Sequence, residues 1–141
     1  MSNVSLKRPV QFYTLIALLL FQGLSGIAGG IFLIIDPSGN TINIPLQWLE
    51  GSPFSNYLIP GIILFSILGI FPLVVVYMLR KKFPRSRQYA FFVGAALVIW
   101  ILVEIAIIGY QAEPPLQAIY GPVGLIIGIL ALMPSMKAYC N

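Results

Sequence analysis

Histidine is absent from the 141 residues, and cysteine occurs once, as Cys140. Those two gaps exclude disulfides within the chain, thiol redox pairs, zinc clusters of the usual spacing and any histidine-based triad. No phosphate-binding loop, dinucleotide fingerprint or zinc-protease motif fills the gap. Charge is scarce as well: 9% of the residues are charged, against roughly 25% in a soluble domain. With 59% hydrophobic residues, the chain has too little polar surface to cover itself in water, so lipid is its expected solvent. The net charge of +4 does not signal nucleic acid, because topology places the basic residues. The expectation is a non-enzymatic protein with no cofactor and no metal site.

What is present is a set of long apolar runs. The first extends from about residue 10 to 35, beyond the 7–15 residues or so of a signal-peptide core. It continues past the small residues Ala28-Gly29-Gly30 into Ile31-Phe32-Leu33-Ile34-Ile35 and so reads as a retained spanning helix. Asp36-Pro37-Ser38-Gly39-Asn40 then supplies turn residues. A short interfacial helix over Leu46-Gln47-Trp48-Leu49-Glu50 is expected in the first outer loop. Pro45 would open it, Leu46 and Leu49 would share one side, and Trp48 would lie at headgroup level.

The second span runs to Leu79 from a start at Pro53, after a capping Ser52, or nearer Pro60; about 57–79 is taken. Pro72, and Pro60 if the helix starts early, are expected kinks. Third and fourth spans cover about 88–110 and 116–133, each near the roughly 20 residues that cross hydrocarbon. The fold expected is an all-α membrane protein: one transmembrane domain over residues 1–141, folded as an up-down bundle of four transmembrane helices.

Every Lys and Arg falls on one side of that arrangement. Lys7 and Arg8 precede span one, Arg80, Lys81, Lys82, Arg85 and Arg87 lie between spans two and three, and Lys137 follows span four. The other two connections hold Asp36, Glu50 and Glu113 and no basic residue. The positive-inside rule puts both termini and the basic loop in the cytoplasm. That loop fixes topology; attraction to anionic lipid is its alternative use.

Two glycine stripes suggest how the helices meet. Gly23, Gly26 and Gly30 in span one, and Gly121, Gly124 and Gly128 in span four, follow spacings of three and four residues, so each set shares a helix face. Small residues let backbones approach closely, which is how helices associate in lipid. Spans one and four are antiparallel neighbours in an up-down bundle, so Gly30 is expected near Gly121 and Gly23 near Gly128. The alternative is that either stripe faces another subunit.

One acid lies inside an apolar run, Glu104. Intramembrane acids usually face the bundle interior and often mark proton or ion paths. No cation shares its level, so a neutral hydrogen-bonding carboxyl is expected, in a cluster with Gln111, Trp100 and a tyrosine (Tyr57, Tyr110 or Tyr120). Gln22 is a further polar candidate. The structural alternative is that Glu104 only joins two helices.

Several stretches together resemble a family of small uncharacterised bacterial membrane proteins with four helices. They are Asp36-Pro37-Ser38-Gly39, Gly51-Ser52-Pro53-Phe54 with Tyr57-Leu58-Ile59-Pro60-Gly61, Trp100-Ile101 with Glu104, Leu116-Gln117 with Tyr120, and Pro134 before Tyr139. The resemblance implies a multi-pass protein of the bacterial inner membrane and carries no activity with it. Two readings follow. One is an accessory or interaction subunit that works through helix packing, with lipid and other membrane-protein subunits or further copies of itself as partners. The other is a small transporter or channel in which Glu104 binds a proton or cation.

Overall fold

Four helices account for the apolar runs in the computed structural model, which describes residues 9–42, 45–50, 52–108, 116–134 and 136. They are α1 (Val10–Ile35), α2 (Leu58–Arg80), α3 (Ser86–Ile108) and α4 (Leu116–Leu132), and no strand occurs among the described residues. The first three are long and apolar enough to cross a membrane. At 17 residues α4 is shorter, about 25 Å at 1.5 Å per residue.

The four pack as two antiparallel hairpins, α1 with α2 and α3 with α4, joined by lighter contacts between α1 and α4 and between α2 and α3. On α1 the buried positions are Phe12, Leu15, Leu19, Gln22, Gly23, Gly26, Gly30 and Leu33, a three-and-four spacing that keeps one stripe inward. The opposite faces are apolar too. Leu24, Ile99, Leu102 and Ile129 are each about 60% exposed, which suits a lipid surround and would be costly in water.

Glycine sets the hairpin contacts, but the two stripes do not meet each other as expected. A Cβ on Gly23 would lie 2.6 Å from Leu73 Cδ2, and one on Gly30 2.6 Å from the Phe65 nitrogen, both on α2. A Cβ on Gly26 would strike the Leu68 carbonyl, also on α2. In the second hairpin it is Gly94 of α3, absent from the expected set, that fits between the Gly124 oxygen and the Gly128 nitrogen, each 2.7 Å from its would-be Cβ. Gly121 faces Ile101 of α3 at an ordinary 3.8 Å. Each stripe therefore serves the helix next to it in sequence rather than joining the first helix to the last.

The prolines of the second segment act differently from one another. Ser52 does not cap a helix at Pro53. Its hydroxyl donates to the Leu49 carbonyl at 2.7 Å and accepts from the Phe54 amide at 3.2 Å, closing a 3₁₀ turn over Leu46–Leu49. Leu49 is buried with Leu33 and Tyr57, while Leu46 is exposed, so these two leucines do not share a side. Helix α2 starts later, where Asn56 Oδ1 accepts from the Leu58 amide at 2.9 Å. Pro60 thus falls in the first turn, where a missing N–H costs nothing, and causes no kink.

Pro72 does disturb the helix. It offers no N–H to the Leu68 carbonyl, and its ring crowds that carbonyl in α geometry. Residues Ser66–Ile70 widen into a π turn, with the Phe71 amide reaching back to the Ser66 oxygen. The freed Leu68 carbonyl accepts from Gln22 Nε2 of α1 at 2.9 Å, a buried bond. Side chains of neighbouring helices commonly satisfy backbone groups that a proline frees in a membrane helix.

The basic connection is a tight turn. Lys82, with φ of 56°, ends α2 where glycine is the usual choice. Its amide bonds the Leu79 oxygen at 3.2 Å and the Phe83 amide bonds the Met78 oxygen at 2.9 Å. These two bonds make a Schellman closure, and Phe83 packs edge-on against Tyr77 beside it.

Candidate functional site

Several polar side chains inside the bundle collect at one place. A cavity of about 160 Å³ lies between the diagonally opposed helices α1 and α3, with Leu64 of α2 and Tyr120 of α4 completing its wall. From α1 come Gln22, Ser25 and the bare backbone at Gly26 and Gly29; from α3 come Leu97, Trp100 and Glu104. These α1 and α3 positions are spaced at three and four residues, so each set lies on one face and both can look into the same space.

Glu104 is held from the neighbouring helix. Gln117 of α4 donates from Nε2 to its Oε1 at 3.3 Å, and Trp100, one turn below it on α3, lines the same cavity. Gln117 is nearly fully buried. Gln22 closes the other end of the cavity. Its Nε2 is committed to Leu68, and its Oε1 is buried without a partner among the described residues. The free end of the amide is thus an acceptor.

Of the expected cluster, Glu104 and Trp100 are brought together, and Gln111 lies outside the described residues, as does Tyr110. Tyr57 is engaged elsewhere: its hydroxyl donates to the Pro45 carbonyl at 2.7 Å and its amide to the Pro37 oxygen at 2.9 Å. Tyr120 is the tyrosine that reaches the cavity, stacked on Phe21 of α1 with centroids 5.4 Å apart. Sequence reasoning missed Gln117 as the amide partner. A signal for it existed, since a short connection between spans three and four puts the first turn of α4 level with the last turns of α3.

The basic residues divide. Arg80, Lys81, Lys82 and Arg85 are exposed in or beside the turn, with Lys81 Nζ 5.9 Å from the centre of the Tyr77 ring. Arg87 is not a free surface charge. Its Nη1 donates to the Ala131 carbonyl at 3.0 Å, so a cation sits on the C-terminal carbonyls of α4, where the helix dipole favours it. At the far end, Asp36 follows α1 and gathers the hydroxyls of Ser38 and Thr41 and the Thr41 amide. Those bonds, Ser38 first, hold its carboxyl below the ordinary 3.8.

Comparison with protein-family models, with curated proteins and with solved structures finds no match to this chain.

Proposed function

We propose that this chain is a four-span protein of the bacterial inner membrane, with both termini in the cytoplasm, and that it binds a proton or cation at Glu104 as a small transporter or channel rather than acting as an enzyme. The observation that carries this reading is the meeting of Glu104, Trp100, Tyr120 and the half-satisfied Gln22 around one cavity, with Gln117 bonded to Glu104. Groups that only join helices pair off and fill space, whereas here an amide oxygen and open volume are left over. The clustering of all eight basic residues on one side supports the orientation, and the four-helix resemblance supports the bacterial inner membrane.

The accessory-subunit reading has its own support in the large exposed apolar side chains on all four helices, which offer packing surface to other membrane proteins as readily as to lipid. One experiment separates the two. Wild type and Glu104→Gln are reconstituted in proteoliposomes and also purified from membranes under mild conditions. Loss of pH-driven flux in a folded Glu104→Gln protein is the expected result. Flux indifferent to the substitution, together with co-purification of a larger complex by both forms, would transfer support to the accessory role.

A further inference from the structure

We infer that the cavity between α1 and α3 receives a small organic ammonium ion with an apolar body, its charged head at Glu104; this rests on the reading of Glu104 as a proton- or cation-binding group.

The polar inventory of the cavity is one-sided. Gln22 gives an amide N–H to Leu68 and presents an oxygen, buried and unpartnered among the described residues. A carboxylate has about four lone-pair sites, and the bond from Gln117 occupies only part of that capacity. Ser25 adds a hydroxyl. No lysine or arginine among the described residues lines the space. A ligand with N–H donors and positive charge therefore meets a carboxylate and an amide oxygen, whereas an anion meets no positive charge there.

Shape narrows the class. Gln22 to Gly29 on α1 and Leu97 to Glu104 on α3 are matching stretches of two turns, about 10 Å at 1.5 Å per residue. The acceptors of Gln22 and Glu104 share the cavity with Leu64, Leu97, Ile101 and glycine backbone. A bare metal ion needs about six or more oxygens gathered at roughly 2.3–2.6 Å if it is calcium-like, and these oxygens are spread along two turns. The volume of about 160 Å³, open on one side, has room for a body of about benzene's size. Trp100 and Tyr120 supply aromatic surface of the kind that attracts cations.

Binding of such a cation to a protonated Glu104 releases one proton, so occupancy is coupled to pH. The titratable side chain that shares the cavity with Glu104 is Tyr120 of α4, and Tyr57, just before α2, lies near enough to feel its charge; among the described residues, α1 lines the cavity with Gln22, Ser25 and two glycines and α2 with Leu64. Among the described residues, Glu104 is thus the carboxyl that lines the cavity and can make the exchange.

The test uses full-length protein in nanodiscs carrying Trp48→Phe, so that the remaining tryptophan, Trp100, reports the cavity by fluorescence. Benzylammonium is the probe, with benzyl alcohol as its neutral counterpart and benzoate as the anion. Expected is a saturable change with benzylammonium that tightens by up to about tenfold per pH unit while the carboxyl titrates. Glu104→Gln should abolish that pH dependence and weaken binding at least about tenfold, as expected for a lost charge-assisted bond. Equal affinity for benzyl alcohol in the wild type, a comparison that needs no further substitution, overturns the inference, as does pH-independent binding. Infrared titration of the carboxyl band runs in parallel. A carboxyl that titrates with no benzylammonium bound sinks the ligand class and leaves the proton-linked reading standing. A Glu104 band that never titrates, with no flux, removes that reading and the inference with it.

Discussion

The bond between Gln22 and the Leu68 carbonyl offers a test of how the two halves of the first hairpin depend on one proline. Replacing Gln22 by leucine keeps the volume and removes the donor. The Leu68 carbonyl, already denied an intrahelical N–H by Pro72, is then buried without a partner. An orphaned buried acceptor costs about 1–3 kcal/mol. Removing the Oε1 that has no partner in the wild type works the other way, so the net loss belongs near the lower end, about 1 kcal/mol. The single substitution cannot separate those two effects, but a double-mutant cycle can. In a Pro72→Ala background residue 72 regains an N–H in reach of Leu68, and the carbonyl no longer depends on Gln22. The Oε1 contribution is common to both backgrounds and cancels. Reversible unfolding in mixed micelles should therefore show Gln22→Leu costing less in the Pro72→Ala background than in the wild type. The difference should be about 1 kcal/mol, within the range of couplings between groups in one network. An equal cost in both backgrounds refutes the reasoning.

Three further outcomes concern stability, and a fourth concerns pH. Gly26→Ala should destabilise the first hairpin by about 1–3 kcal/mol, because its Cβ meets the Leu68 carbonyl and lies 2.9 Å from Gly69 Cα, both backbone. Gly121→Ala, with Ile101 Cγ2 at 3.8 Å, should be neutral or slightly stabilising in the same unfolding measurement. Lys82→Gly should stabilise by up to about 1–2 kcal/mol, the cost of a left-handed backbone for a residue with a Cβ; a loss of stability would contradict the Schellman assignment. Finally, Asp36 has a folded-state value below the ordinary 3.8, so its contribution is complete above that value and is lost as pH falls through the folded one. Protection of the Thr41 amide from hydrogen exchange should fall on acidification in that range. Asp36→Asn should lower protection already at neutral pH and remove the dependence.

Much of the architecture was legible because it depends on neighbours in sequence. Residues 10–35 form one helix since no proline and no charged residue interrupts them before Asp36-Pro37. The turn that follows is closed by the side chain of Asp36 on Ser38 and Thr41, within a few residues. The start of α2 was harder, because Ser52-Pro53 carries the chemistry of a helix cap and spends it on a 3₁₀ turn. Local sequence offers the cap; the packing of Leu49 and Tyr57 against Leu33 decides which turn uses it.

Within the candidate site, the sequence by itself determined that Glu104 lies in an apolar run that holds no lysine or arginine, with Trp100 one turn away. It also determined which positions permit close backbone approach. Tertiary structure alone decided which helix takes up each glycine stripe, that Gln117 rather than a residue of α3 reaches Glu104 from the neighbouring helix, and that Gln22 serves the carbonyl freed by Pro72. The reason is physical. A small-residue stripe states that something may come near without saying what, and lipid gives no hydrophobic preference among apolar helices. The partner is chosen by whichever facing surface fills the groove and satisfies the buried polar groups, and that surface exists only once the helices are assembled.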